Sequence, residues 1–133
     1  MLHHNVIMKS FFKSRAASFR YAFAGWWFVI RTQRNAWIHA MITLLVIMIS
    51  LWLHIALYEW AIIFIAIALV WTAEFLNTAM EALVDLASPN RHQLARICKD
   101  VGAAAVLIAA LSSVLIGLFI LGPHLWQRLQ TLF

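Results

Sequence analysis

The chain has 133 residues, of which 65% are hydrophobic and only 11% charged, with a formal net charge of +5. Soluble domains carry about 25% charged residues, so this composition excludes an ordinary soluble fold and fits one membrane domain. The single cysteine, Cys98, excludes an intrachain disulfide and a cysteine-based zinc site.

In chain order, residues 1–10 are expected to form a mobile tail, and their paired histidines, His3 and His4, are a weak metal-binding motif. From about residue 11 to 34, "FFKSRAASFRYAFAGWWFVIRTQR" interleaves aromatic and basic side chains. That mixture suits an amphipathic helix in the membrane interface, with rings at the headgroup boundary and cations outward. Residues 11–133 then form a single membrane domain. Its first apolar segment runs from about Ile38 to Leu57, and a later one from Val101 to Leu121. Each reaches the ~20 residues that cross a bilayer as a helix. Gly122-Pro123 is expected to stop the later one.

Between them, Trp60 to Ala73 is apolar but too short to span. It spans only if its helix continues through "EFLNTAMEALVD" to about Ala87, where Ser88-Pro89-Asn90 breaks it. The fold class expected is therefore all-α, an interfacial helix followed by three transmembrane helices. Lys9, Lys13, Arg15, Arg20, Arg31 and Arg34 precede the first span, and Arg91, Arg96 and Lys99 lie between the second and third. The positive-inside rule puts both clusters in the cytoplasm, the amino terminus inside and the carboxyl terminus outside. Glycine is limited to four positions, so neither a Walker loop nor a dinucleotide fingerprint can form.

The polar residues of the second span carry the chemistry. At 100° per residue, Glu74, Asn77, Glu81 and Asp85 fall within about 80° of one helix face. An acid at mid-bilayer costs roughly 2.5–3.5 kcal/mol on insertion scales, so three on one face need compensation. A divalent cation, or Arg34, Arg96 and Lys99 at the cytoplasmic edge, can supply it. Lys99-Asp100 opens the third span at the depth of Glu81 and Asp85, a pairing suited to phosphate and metal together. Gly102, Ala105, Ala109 and Ser112 form a small-residue face for close helix approach. Three thin helices hardly enclose four polar groups, so a homo-oligomer is expected.

At this point the chain resembles the small prokaryotic diacylglycerol kinases, a family that includes the undecaprenol kinases. The anchor is "AEFLNTAMEALVDLASPNRHQLARICKDVGAAAVLIAA", similar to a signature E-x-x-N-[ST]-A-x-E-x-x-x-D followed by H-x-x-x-x-x-x-K-D. The resemblance extends from about Phe11 to Leu121, and "RTQRNAWIH" and "SPNRHQLA" look closer to the undecaprenol kinase branch. It implies a homotrimer in the bacterial plasma membrane that transfers the γ-phosphoryl of MgATP to a lipid hydroxyl, that of undecaprenol or diacylglycerol. It further implies Glu74 as general base, Asn77 as its orienting partner and Glu81 as a metal ligand bridging to the phosphates. Lys99 and Asp100 would contact the nucleotide, with Asn90, Arg91 and His92 near it and Tyr21 covering it.

Two positions depart from the pattern. Gln33 stands where many members carry a second metal-binding glutamate, and an amide ligates Mg2+ without charge. Ser14 aligns with an ATP-contacting arginine, with Arg15 one place along. Two other classes compete with a kinase. A cation pathway along the acidic face would need polar residues beyond it, yet Ile62 to Ala73 offers only Thr72. A non-catalytic helical protein is suggested by Gln33 alone.

Overall fold

The structure, a computed structural model, describes residues 2–88, 90 and 92–131, with side chains at Arg15 and from Ala17 onward. Among the described residues it is entirely helical, and it divides into two units, up to Arg34 and from Asn35 on.

In the first unit, α1 is one helix over Leu2–Thr32, so helix extends through the stretch expected as a tail. Aromatic and basic side chains pair along it: the Arg20 guanidinium lies 5.4 Å from the Tyr21 ring centre and that of Arg31 5.9 Å from Trp27. Such contacts hold cations against rings whose other faces remain open. The helix ends at Gln33, whose N–H donates to Val29 O at 2.9 Å.

The second unit holds α2 (Arg34–Leu53, counted from the junction), α3 (Leu57–Ala87) and α4 (Gln93–Gln130), each long and apolar enough to cross a membrane. At 1.5 Å per residue the 20 residues of α2 extend about 30 Å, the thickness of the hydrocarbon core. Their outward side chains are apolar, with Phe64 70% and Phe119 77% exposed, as a surface solvated by lipid requires.

The α2–α3 link is short. His54 takes a left-handed conformation (φ 52°), tolerated by His better than by branched residues, and Ile55 N–H returns to Ser50 O. The Glu59 carboxylate accepts the Ala56 N–H at 2.7 Å, which satisfies one free donor at the start of α3.

Helices α3 and α4 are antiparallel and pack along their length. Contacts pair Glu59 with His124, Ala66 with Ser113, Asn77 with Gly102 and Asp85 with Lys99. The small face expected of the third span is what permits this at Asn77. A Cβ on Gly102 would overlap Asn77 Oδ1 and lie 3.4 Å from its Cγ. Helix α2 joins near its far end through a cluster of Leu53, Ile55, Ile63 and Leu121.

Gly122-Pro123 does not stop α4, which runs on to Gln130. Proline removes one N–H from the ladder, but the chain beyond it is held independently. His124 Nε2 lies 2.9 and 3.1 Å from the two Glu59 oxygens. A proline inside a membrane helix is tolerated where neighbouring groups hold the freed segment.

Candidate active site

The four polar residues of α3 do form one face, as the 3.6-residue period requires, but they differ in burial. Glu74 is 1% exposed and Asn77 9%, Glu81 is half-buried, and Asp85 is exposed. Glu74 is enclosed because α2 covers it: His39 Nε2 lies 3.8 Å from Glu74 Oε2. That separation is beyond hydrogen-bond length. Among the described residues Glu74 Oε2 has no hydrogen-bond partner, and neither has Asn77 Oδ1.

The neighbours fix these side chains in place. Thr78 Oγ donates to Glu74 O at 2.9 Å, and Asn77 Nδ2 donates to Glu81 Oε1 at 2.9 Å. On the α2 side, Trp71 Nε1 donates to Thr43 Oγ at 3.3 Å, and the Trp71 ring stands edge-on to His39, centroids 6.5 Å apart. Glu74 thus carries a buried oxygen with an unmet acceptor beside an imidazole, a feature that calls for an explanation.

Lys99 bonds Asp85 at 2.5 Å, which supplies the cation expected for the acidic face. Arg96 pairs one turn along α4 with Asp100 at 3.6 Å, an exposed contact. Asp85, Ser88, Asn90, His92, Arg96 and Lys99 line an open cavity of about 620 Å³ at the α3–α4 turn. That volume lies within the range of small-molecule sites. His92 caps α4, its Nδ1 accepting the Leu94 N–H at 3.2 Å, so the positive end of a 38-residue helix opens beside the cavity. A helix start of this kind attracts phosphate.

The structure thus brings Asn90, His92 and Lys99 together around one cavity, with Asp85. Glu74, Asn77 and Glu81 form a second group one to three turns along α3. Asp100 faces Arg96 and does not line the cavity. Arg91 lies outside the described residues. Arg15 and Tyr21 are exposed on α1, while Gln33 is half-buried at its end and exposed Arg34 starts α2. Glu81 has one oxygen bonded to Asn77 and presents a hard donor suited to a cation that takes few carboxylates. No set of three His, Cys, Asp or Glu side chains suited to a metal occurs among the described residues. Sequence reasoning missed His39. Its signal was available, an ionisable residue in the first turns of an apolar span.

Three membrane-length helices with a buried carboxylate leading to a polar cavity match a known class. The family model for prokaryotic diacylglycerol kinase matches residues 20–121. The chain belongs to that family, and its class is that of the membrane lipid kinases. It is 38% identical over 122 residues to undecaprenol kinase of Bacillus subtilis (strain 168), covering 92% of this chain and 96% of that one. It is 42% identical over 109 residues to diacylglycerol kinase of Synechocystis sp., covering 81% of this chain but 62% of that one. It is 34% identical over 98 residues to diacylglycerol kinase of Escherichia coli (strain K12), covering 68% and 80%.

Proposed function

We propose that the chain transfers the γ-phosphoryl group of MgATP to the hydroxyl of a lipid alcohol, undecaprenol or diacylglycerol, at the cytoplasmic face of the bacterial plasma membrane. The observation that carries this reading is Glu74, 1% exposed in a membrane helix with Oε2 unpartnered. A lipid hydroxyl that donates to this oxygen satisfies it and is oriented as a nucleophile by the same bond. The lipid oxygen then forms a bond to the γ-phosphorus, the bond from that phosphorus to the leaving oxygen of ADP breaks, and the hydroxyl proton passes to Glu74. General-base assistance of this kind contributes about 10²–10⁴-fold.

The remaining roles are positional. Asn77 holds Glu81, and Asn90, His92 and Lys99 line the cavity that would take the nucleotide, with α4's amino-terminal dipole directed at its phosphates. Arg91, Asp100 and Tyr21 are assigned to the nucleotide by family pattern alone. Glu81 would hold Mg2+, and Gln33 is assigned to the metal, as a neutral ligand, by family pattern alone. Such an ion would neutralise charge on the transferred phosphoryl. Magnesium sites commonly use one or two carboxylates and complete themselves with substrate phosphates, which fits a chain offering so few acids.

The extent of exposed apolar surface on the three membrane helices supports assembly into a homotrimer. The basic clusters support a cytoplasmic amino terminus and an outer carboxyl terminus. The transport reading draws no support from Trp71 and Ser113, which are engaged within the chain, Trp71 with Thr43 and Ser113 with Ala66 O. The test is transfer of label from [γ-³²P]ATP to undecaprenol and diacylglycerol, offered in parallel to the purified protein in mixed micelles. Labelled lipid from either one supports the reading; intact protein that labels neither with Mg2+ present rejects it.

A further inference from the structure

A second polar face lies at the opposite end of the second unit from the acidic stripe. His124, Gln127, Arg128 and Thr131 recur at intervals of three and four, so they fall within about 100° of one side of α4. With Leu53 and His54, where α2 ends, they line a pocket of their own. Leu125, Trp126 and Leu129 occupy the other sides of the helix.

Element lengths set the depth of this pocket in the membrane. The 20 residues of α2 extend about 30 Å, so Leu53 and His54 stand where the hydrocarbon core ends. The apolar run of α4 ends at Leu121, and His124 follows about 5 Å beyond it. A helical side chain leans toward the amino terminus of its helix, which carries Arg128 back toward that edge. Its guanidinium lies 5.9 Å from the Trp52 ring centre. Trp52 and Trp126 are both exposed, as the rings of an interfacial aromatic belt are. The pocket is therefore at headgroup level.

The charges there are not balanced within the chain. Glu59 is the acid beside the pocket, and it is engaged. Its two oxygens lie 2.9 and 3.1 Å from His124 Nε2, and one of them also accepts the Ala56 N–H. Among the described residues no carboxylate pairs with Arg128. Exposed His54 and Gln127 line the same pocket and bring further donors to it. The carbonyl end of a helix repels anions, but Thr131 covers part of it here. Its Oγ donates to Arg128 O at 2.7 Å and its N–H to Gln127 O at 3.3 Å.

A guanidinium of unmatched charge takes an oxyanion through its fork of N–H donors, and phosphate fits that fork. At headgroup level the phosphate within reach is that of a phospholipid. We propose that this pocket binds the phosphate of an anionic phospholipid, in the leaflet opposite the α3–α4 turn, with Arg128 as its principal ligand and His54 and Gln127 as further donors. An anionic headgroup is favoured over a zwitterionic one because Glu59, already engaged, is not free to take a choline or ethanolamine cation. The neighbouring indole rings meet the upper part of the acyl chains. The inference rests on the membrane reading of α2, α3 and α4 and is independent of the phosphoryl-transfer reading.

The experiment is native mass spectrometry of the purified protein in a neutral detergent, wild type against Arg128→Met, titrated with phosphatidylglycerol, phosphatidylcholine or inorganic phosphate. Wild type is expected to bind phosphatidylglycerol about tenfold more tightly than the variant, the factor that loss of a hydrogen bond to a charged group brings. It should also take phosphatidylglycerol in preference to phosphatidylcholine. Equal affinity of the two proteins for phosphatidylglycerol overturns the pocket. Equal affinity of wild type for the two lipids overturns the choice of an anionic headgroup. Inorganic phosphate that displaces the lipid at comparable concentration makes the free ion the ligand and overturns the lipid assignment. Phosphoryl transfer enters none of these readouts, so failure here leaves the proposed activity standing. In parallel, and decisive should Arg128→Met not fold, wild type is photolabelled with a phosphatidylglycerol that carries a diazirine in its headgroup. Labels on residues 52–54 and 124–131 support the pocket, and labels confined to other residues reject it.

Discussion

Asn77 is constrained from two helices at once. Its Nδ2 donates to Glu81 on α3, while its Oδ1 side faces the bare Cα of Gly102 on α4. Gly102→Val should therefore force the helices apart at this level and cost about 1–3 kcal/mol, the usual range for overpacking. Reversible unfolding in mixed micelles measures this; wild-type stability would show that the contact is easily relieved. The Lys99–Asp85 pair differs because its side chains are 39% and 67% exposed. Exposed pairs contribute about 0–1 kcal/mol, so Lys99→Met should scarcely change unfolding. It should instead raise KM for ATP, and an effect confined to the lipid KM would remove Lys99 from the nucleotide site. The stripe from Glu74 to Asp85 was legible because helical periodicity alone brings its members together. The contact of His39 with Glu74 was not. It joins residues 35 positions apart and depends on how α2 lies against α3, which no local pattern encodes.

At the level of helices, the sequence conveyed that α3 must continue through its acidic stretch, because Trp60 to Ala73 is too short to span. It misled at Gly122-Pro123. Proline and glycine are strong stop signals where water can take up the freed groups, but here the contact of His124 with Glu59, 65 positions away in sequence, holds the segment beyond. The Glu59 side chain is only 12% exposed, and it both caps α3 and binds His124. His124→Ala should thus lower the unfolding midpoint, because it removes a hydrogen bond to the Glu59 carboxylate. Since this pair lies at the opposite end of α3 from the cavity proposed for the nucleotide, KM for ATP should not move. A raised ATP KM at full stability would mean the two ends are coupled in a way the packing does not suggest. The extension of helix into residues 2–10 had no clear signal, for their composition is compatible with either a tail or a first turn.

For the second unit as a whole, three membrane helices turn apolar faces outward, with the acidic stripe leading to the α3–α4 turn and the Glu59–His124 contact at the opposite end. One copy offers no set of three His, Cys, Asp or Glu side chains suited to a metal among its described residues. On the proposed homotrimer, light scattering of the detergent-solubilised protein should give a mass of three chains. An active, strictly monomeric species would show that one copy suffices. Fold class and the family resemblance were readable from composition, spans and one gap-free motif. The order of burial along the acidic face emerged only with packing, and it makes Glu74 the most informative residue in the chain. The deciding measurement is therefore phosphoryl transfer from [γ-³²P]ATP to lipid by wild type and Glu74→Gln side by side, with assembly checked in both. The account predicts labelled lipid from wild type and a loss of about 10²-fold or more in the folded variant. Undiminished transfer by Glu74→Gln would contradict it.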